Sequence, residues 1–366
     1  MPSRRRFLAT CSAAAVSGLA GCTGLLDDPP EGTVWSASVG GASPLSPPAL
    51  TGRVVAAAGP DGDLEDGRVD AFDAASGERR WSKEVGRVTG VEAAGGVVYV
   101  GVKAGGDSAR VLAFDARSGE RRWNGSVRNL ASAMAAADGA LYAANGGLAA
   151  IDPADGSVRW QFDDRDGATF TIVVAPGEQL AADGRRVVYG GNGGIVALAP
   201  ADGSVEWRAD TDFSTNAGPA LGDGTAYVGG DNGDGLAALD ATSGDVRWTR
   251  TFGQSAGVAG IRPTDRSMLV ATGTAGVGGS FGTLYELDPE TGVERRETRF
   301  DAPVRGTATG GDWFVVRTAE DTVACFDAET FTEAWRTELS ASALLATDGE
   351  RAYAQTTDGT LWALAP

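Results

Sequence analysis

Leu112-Ala113-Phe114-Asp115-Ala116-Arg117-Ser118-Gly119-Glu120-Arg121-Arg122-Trp123 is a short apolar strand, a turn and the start of a second strand, and the chain writes it again and again. The same pattern runs from Asp73 to Trp81, Asp152 to Trp160, Asp240 to Trp248 and Asp327 to Trp335, with aspartate and tryptophan eight residues apart each time. Two copies are worn: Ala199 replaces the aspartate before Trp207, and Arg296 replaces the tryptophan after Asp288. A last copy, Gly359 to Pro366, stops before its final strand.

The repeat recurs every 42 residues or so, the length of one four-stranded propeller blade. Upstream of each copy lies a second β-rich segment, such as Gly96-Val97-Val98-Tyr99-Val100 or Arg186-Val187-Val188-Tyr189-Gly190. Counterparts fall near Val54, Leu141, Tyr227, Leu269, Phe314 and Tyr353, so two independent counts give eight blades. The expected fold is an all-β, eight-bladed β-propeller of four-stranded antiparallel blades. The outer strand missing after Pro366 is supplied by Thr33-Val34-Trp35-Ser36-Ala37, which closes the last blade and removes two exposed sheet edges.

Each repeat position has a physical reason. The aspartate accepts backbone N–H bonds of a tight turn, and the glycine takes positive φ. The tryptophan opens the outermost strand and buries its ring between neighbouring blades. Asp73, Asp115, Asp152, Asp240, Asp288 and Asp327, with Trp81, Trp123, Trp160, Trp207, Trp248 and Trp335, are therefore expected to be structural rather than ligand-binding.

Residues 1–21 read as an address. Arg4 and Arg5 lie in a twin-arginine signature, Ser3-Arg4-Arg5-Arg6-Phe7-Leu8, and an apolar run from Ala9 to Ala20 is too short to span a bilayer. It ends at Leu19-Ala20-Gly21-Cys22, which resembles a lipobox, so Cys22 is expected to carry a lipid. Residues 22–32 then form an acidic, proline-containing tether, and 33–366 the propeller. The protein is expected on the outer face of the cytoplasmic membrane.

The formal net charge is −18, with two lysines, Lys83 and Lys103, in the whole chain. Nucleic acid is excluded as a partner, because phosphate binding needs clustered positive charge. Dispersed carboxylates with so little lysine fit a halophilic protein kept soluble at high salt. The absence of histidine excludes serine–histidine triads and histidine-ligated zinc.

The repeat resembles the pyrroloquinoline-quinone-like propeller repeat over residues 33 to 366. That family includes quinoprotein alcohol dehydrogenases and the lipoprotein subunit that helps assemble outer-membrane β-barrels. The resemblance implies that a dehydrogenase of this kind would have a disulfide between adjacent cysteines beside the quinone, a calcium site and a catalytic aspartate. The cysteines here are Cys11, Cys22 and Cys325, so no adjacent pair exists, and Cys325 reads as a small buried hydrophobe.

No catalytic or cofactor-binding residue is expected. Two loops concentrate the hard oxygen ligands calcium prefers, through Asp61, Asp63 and Glu65 and through Asp231 and Asp234, but neither completes a calcium-loop pattern. Gly273 to Gly282 lacks the lysine of a phosphate loop and reads as a hairpin. The expected binding face is formed by the longer connections, at 59–67, 103–109, 163–179, 229–235, 253–264 and 273–282. The reading is a non-catalytic, monomeric scaffold for protein partners at the membrane surface or for a small ligand in the central channel. The alternative is a quinone-dependent enzyme.

Overall fold

The computed structural model describes residues 29–39, 46–61, 63–105, 108–128, 133–144, 147–162, 180–191, 194–210, 215–230, 235–253, 256–274, 280–339 and 344–365. Among them there are thirty-two strands and no helix, arranged in eight four-stranded antiparallel sheets. The blades run in chain order: blade 1 over 49–86, blade 2 over 88–128, blade 3 over 133–162, blade 4 over 180–210, blade 5 over 215–250, blade 6 over 256–300 and blade 7 over 304–338. Blade 8 takes three strands from 344–364 and its outermost from Thr33–Ser38.

That outermost strand pairs antiparallel with Thr360–Leu364, placing Trp35 opposite Ala363 and Ala37 opposite Leu361. The innermost strands of successive blades touch all the way round, and Leu344–Thr347 of blade 8 meets Ala49–Thr51 of blade 1. The ring is closed as the sequence predicts.

Burial follows each strand's place in its blade. The second strand of blade 3, Ala140–Ala144, is buried at every residue because neighbouring blades cover both of its faces. The outermost strand of the same blade, Val158–Phe162, buries only Trp160. Such a molecule has no single core. Buried side chains fall into eight clusters, one at each blade junction, so every blade contributes to two of them.

The expected loop face needs correction. Residues 253–264 are not a connection: Ala256–Pro263 is the innermost strand of blade 6, held there because Ala256 and Val258 are buried. Residues 59–67 and 103–109 are largely the ends of long second and third strands, Val54–Asp61 with Asp63–Asp73 and Val97–Gly105 with Ser108–Asp115. Residues 163–179, 231–234 and 275–279 lie outside the described residues.

Candidate functional site

The repeated turn joins the third and fourth strands of blades 1 to 7, and in blades 1, 2, 3, 5 and 6 its aspartate works through both oxygens. In blade 2, Oδ1 of Asp115 accepts from the N–H groups of Arg117 (3.0 Å) and Ser118 (2.9 Å), which satisfies donors that no strand can reach. Oδ2 accepts from an arginine seven residues on, Arg122, at 2.7 Å. The same pair forms between Asp152 and Arg159 (2.8 Å), Asp240 and Arg247 (2.7 Å), Asp288 and Arg295 (2.6 Å), and Asp73 and Arg80. The arginine side-chain bond, followed by backbone N–H bonds, holds the Asp240 carboxyl down at about 2.

In blades 1, 2, 3 and 5 these arginines are visible in the sequence as the residue before the tryptophan, and in blade 6 Arg295 precedes Arg296, a regularity that the aspartate–tryptophan reading passes over. Blade 4 loses both partners together, with Ala199 for the acid and Glu206 for the base. Its turn still closes through backbone bonds, Ala199 N to Ser204 O and Gly203 N to Ala199 O, both 2.9 Å.

Six tryptophans, Trp35, Trp81, Trp123, Trp160, Trp207 and Trp248, dock on the next blade's turn, whereas the buried indole N–H of Trp335 meets no acceptor among the described residues. The indole N–H of Trp81 donates to the carbonyl of Ala116 at 2.9 Å, and that of Trp123 to Pro153, Trp160 to Pro200 and Trp207 to Ala241, all at 2.8 Å. Trp35 and Trp248 make the same bond, to Ala74 and Pro289. The ring lies so close to the turn glycine that a Cβ on Gly119 would sit 2.6 Å from Trp81. Opposite the tryptophan, on the third strand of its own blade, stands alanine: Ala71, Ala113, Ala150, Ala197 and Ala238.

One junction replaces all three parts. In blade 6 the residue opposite is Glu286, the docking residue is Arg296, and the turn position in blade 7 is Phe331 at φ +57°. Arg296 pairs with Glu286 at 2.5 Å and covers the Phe331 ring.

Cys325 lies at the position Ala113 occupies in blade 2, between Val315 and Trp335, and is fully buried, with its thiol pushed up to about 12 by burial and then by the charge of Asp327. Arg4, Arg5, Cys22, Asp231 and Asp234 lie outside the described residues. So do the side chains of Asp61, Asp63 and Glu65, although their backbone runs in the two long strands of blade 1. Among the described residues, no three carboxylate or cysteine side chains are grouped to hold a metal ion.

On the ring axis is a cavity of about 420 Å³, lined from blades 7, 8, 1, 2 and 3 and including Leu50, Val91, Glu92, Met134, Thr309 and Leu345. Its described walls hold no aromatic residue and one charged residue, Glu92. At the turns of blades 1 and 2, a cleft of about 760 Å³ gathers Arg53, Arg80, Arg117 and Arg122.

Eight closed blades with tryptophans docked on the next turn define a β-propeller of the pyrroloquinoline-quinone-like repeat class. The family described as "Outer membrane protein assembly factor BamB" matches residues 25–166, 65–213, 162–309 and 295–366, and the chain belongs to it. The fold is similar to that of BamB from Moraxella catarrhalis (TM-score 0.68, 19% identity, 91% of this chain and 99% of that one). It is also similar to quinohemoprotein alcohol dehydrogenase ADHIIG from Pseudomonas putida HK5 (TM-score 0.64, 16% identity, 90% and 72%). Among curated proteins, the serine/threonine-protein kinase AfsK of Streptomyces coelicolor is 35% identical over 136 residues, which is 37% of this chain and 16% of the kinase. The chain thus spans about a sixth of that relative's length.

Proposed function

We propose that this protein is a non-catalytic scaffold, exported and held at the membrane surface by a lipid on Cys22, that docks protein partners on its rigid ring. The observation that carries the reading is the axial cavity. A bound quinone of this fold family would need an adjacent cysteine pair beside a flat ring site. The chain has no adjacent cysteines, and the described cavity walls offer no aromatic surface. The residues present do not fit the group.

Membership in a family described as an assembly factor supports partner binding over turnover, since fold alone leaves both open. The cleft at the turns of blades 1 and 2 offers a partner a polar surface, with Arg80 and Arg122 already paired with Asp73 and Asp115. The dehydrogenase relatives keep the enzyme as the competing reading.

The test is titration of the protein with pyrroloquinoline quinone and calcium in molar salt, following tryptophan fluorescence. Absence of saturable quenching is expected, and one-to-one saturable quenching overturns the scaffold reading. In cells, Cys22→Ser should move the protein from the membrane fraction to the soluble one. Retention at the membrane would overturn the lipid anchor alone.

A further inference from the structure

A repeat protein carries its own control, because the same structural position can be compared across blades. In every blade, the third cross-strand pair counted from the two-residue hairpin between the first and second strands, with the closing pairs Asp183–Arg186, Thr264–Ser267 and Asp348–Arg351 included, lies at one level of the ring and on one face of its sheet. On the innermost strand that level is occupied by Ala49, Ala135, Ala181, Ala220, Arg262, Ala308 and Ala346 in blades 1 and 3 to 8. In blade 2 it is occupied by Glu92, opposite Tyr99. Six alanines show what the fold requires there; the one arginine, Arg262, donates to the carbonyls of Gly311 and Trp313 in the next blade, and Glu92 is the one carboxylate.

Glu92 is poorly placed for a purely structural acid. Burial raises its carboxyl to about 7, and the N–H of Ala93 is the group that opposes the rise. Its cross-strand neighbour Tyr99 is itself an acid, whose ionisation the Glu92 charge disfavours. No other titratable side chain lines the cavity among the described residues. A carboxyl kept in a cavity without a cation costs folding energy, and such groups gather at functional sites.

The walls narrow the ligand. A divalent cation of the calcium type takes six to eight oxygens, and one carboxylate does not supply them. A quaternary ammonium is held by an aromatic cage, and the described walls have no ring. An anion would meet only repulsion. A primary ammonium group on a short carbon chain matches both parts of the site, with a charge-assisted hydrogen bond to the carboxylate and apolar contact along the chain. The volume lies in the lower part of the range for small-molecule sites, about 300–1,000 Å³.

We propose that the axial cavity binds a small aliphatic primary ammonium compound, its charge on the Glu92 carboxylate and its carbon chain against Leu50, Val91, Met134 and Leu345. The site is independent of partner docking on the rim and stands or falls separately from it.

The experiment is calorimetric titration of the full protein with butylammonium chloride, tetramethylammonium chloride and sodium butyrate. Saturable one-to-one binding of butylammonium is expected at about pH 8, weaker by roughly tenfold or more at about pH 5.5. Butyrate should not bind, and tetramethylammonium should bind at least about tenfold more weakly. Glu92→Gln should abolish the butylammonium signal. Glu92→Ala should do the same while keeping the fold, since alanine stands at this level in six other blades. No saturable heat with butylammonium, equal binding by either variant, or equal binding of tetramethylammonium would overturn the proposal.

Discussion

The guanidinium carbon of Arg296 lies 5.0 Å from the centre of the Phe331 ring, so the two residues that break the repeat most visibly break it at the same place. At six other junctions a tryptophan from one blade lies on a glycine of the next. Here the large ring has moved to the turn and the cation covers it, with Glu286 added beneath to neutralise the arginine. The exchange is concerted, because an arginine on a bare glycine would leave a gap and a tryptophan on a phenylalanine would overfill one.

Arg296→Ala is therefore expected to cost roughly 1–3 kcal/mol, less than a fully buried pair because the arginine is 48% exposed. Phe331→Gly and Arg296→Trp should each destabilise alone. The triple variant Glu286→Ala, Arg296→Trp, Phe331→Gly should regain most of the loss, as read by urea denaturation in a mutant cycle. Simple additivity of the three changes would contradict the arrangement.

Gly119→Ala is expected to cost roughly 2–5 kcal/mol, combining positive φ with a collision against Trp81. Gly139 is the internal comparison, with φ +74° and nothing within 4 Å of an added Cβ. Gly139→Ala should cost only the backbone share, roughly 1–2 kcal/mol. Thermal melts of the two variants side by side separate docking from strain, and equal losses would remove docking from the account.

The turn aspartates set the acid limb of stability. Asp115, Asp240 and Asp288 are held below the usual carboxylate range by Arg122, Arg247 and Arg295, so they bind protons less readily folded than unfolded. Their contribution is complete above the unfolded value near 4 and is lost as pH falls toward about 2. Melting temperature should fall steeply below about pH 4. Asp240→Asn should soften that fall while lowering stability at neutral pH.

Glu92 runs the other way. Its folded value of about 7 exceeds the model-compound value of 4.5, so the ligand-free protein loses stability as pH rises between them. Glu92→Gln should match the parent near pH 4.5 and exceed it above pH 7, by up to about 3 kcal/mol. Melts across that range check the sign, and a variant less stable at high pH would show that the carboxylate has a cation partner in the fold.

Cys325 should resist thiol reagents in the folded protein at about pH 8, because its thiol is buried and its thiolate disfavoured. Labelling with iodoacetamide should appear only after denaturation. Rapid labelling of Cys325 in the native state, located by peptide mass, would contradict the packing.

The blade count and the closing strand are legible in the sequence because both rest on a motif with fixed spacing, and strand pairing inside a blade is local. The turn arginines are equally legible, since Arg122 and Arg159 each precede a tryptophan, yet a search for aspartate and tryptophan passes them by. Glu286, Arg296 and Phe331 are another matter. Their meeting depends on the register between blades, which no single repeat encodes. Glu92 is hidden for a related reason: innermost strands carry no motif, so the level it shares with six alanines and Arg262 exists only once the ladders are paired. Residues 253–264 are misread as a loop because Gly257 and Gly260 interrupt the alternation of a strand whose buried face is nonetheless intact.

The ladder between Thr33–Ser38 and Thr360–Leu364 joins nearly the first described strand to the last. During synthesis the early strand must wait, unpaired, until the ribosome has delivered almost every other blade. The ring is thus finished by one late contact of very large sequence separation, which is slow to form because it closes the longest loop in the molecule. Until that ladder forms, blade 8 lacks its outermost strand and Thr360–Leu364 is left with an unpaired edge.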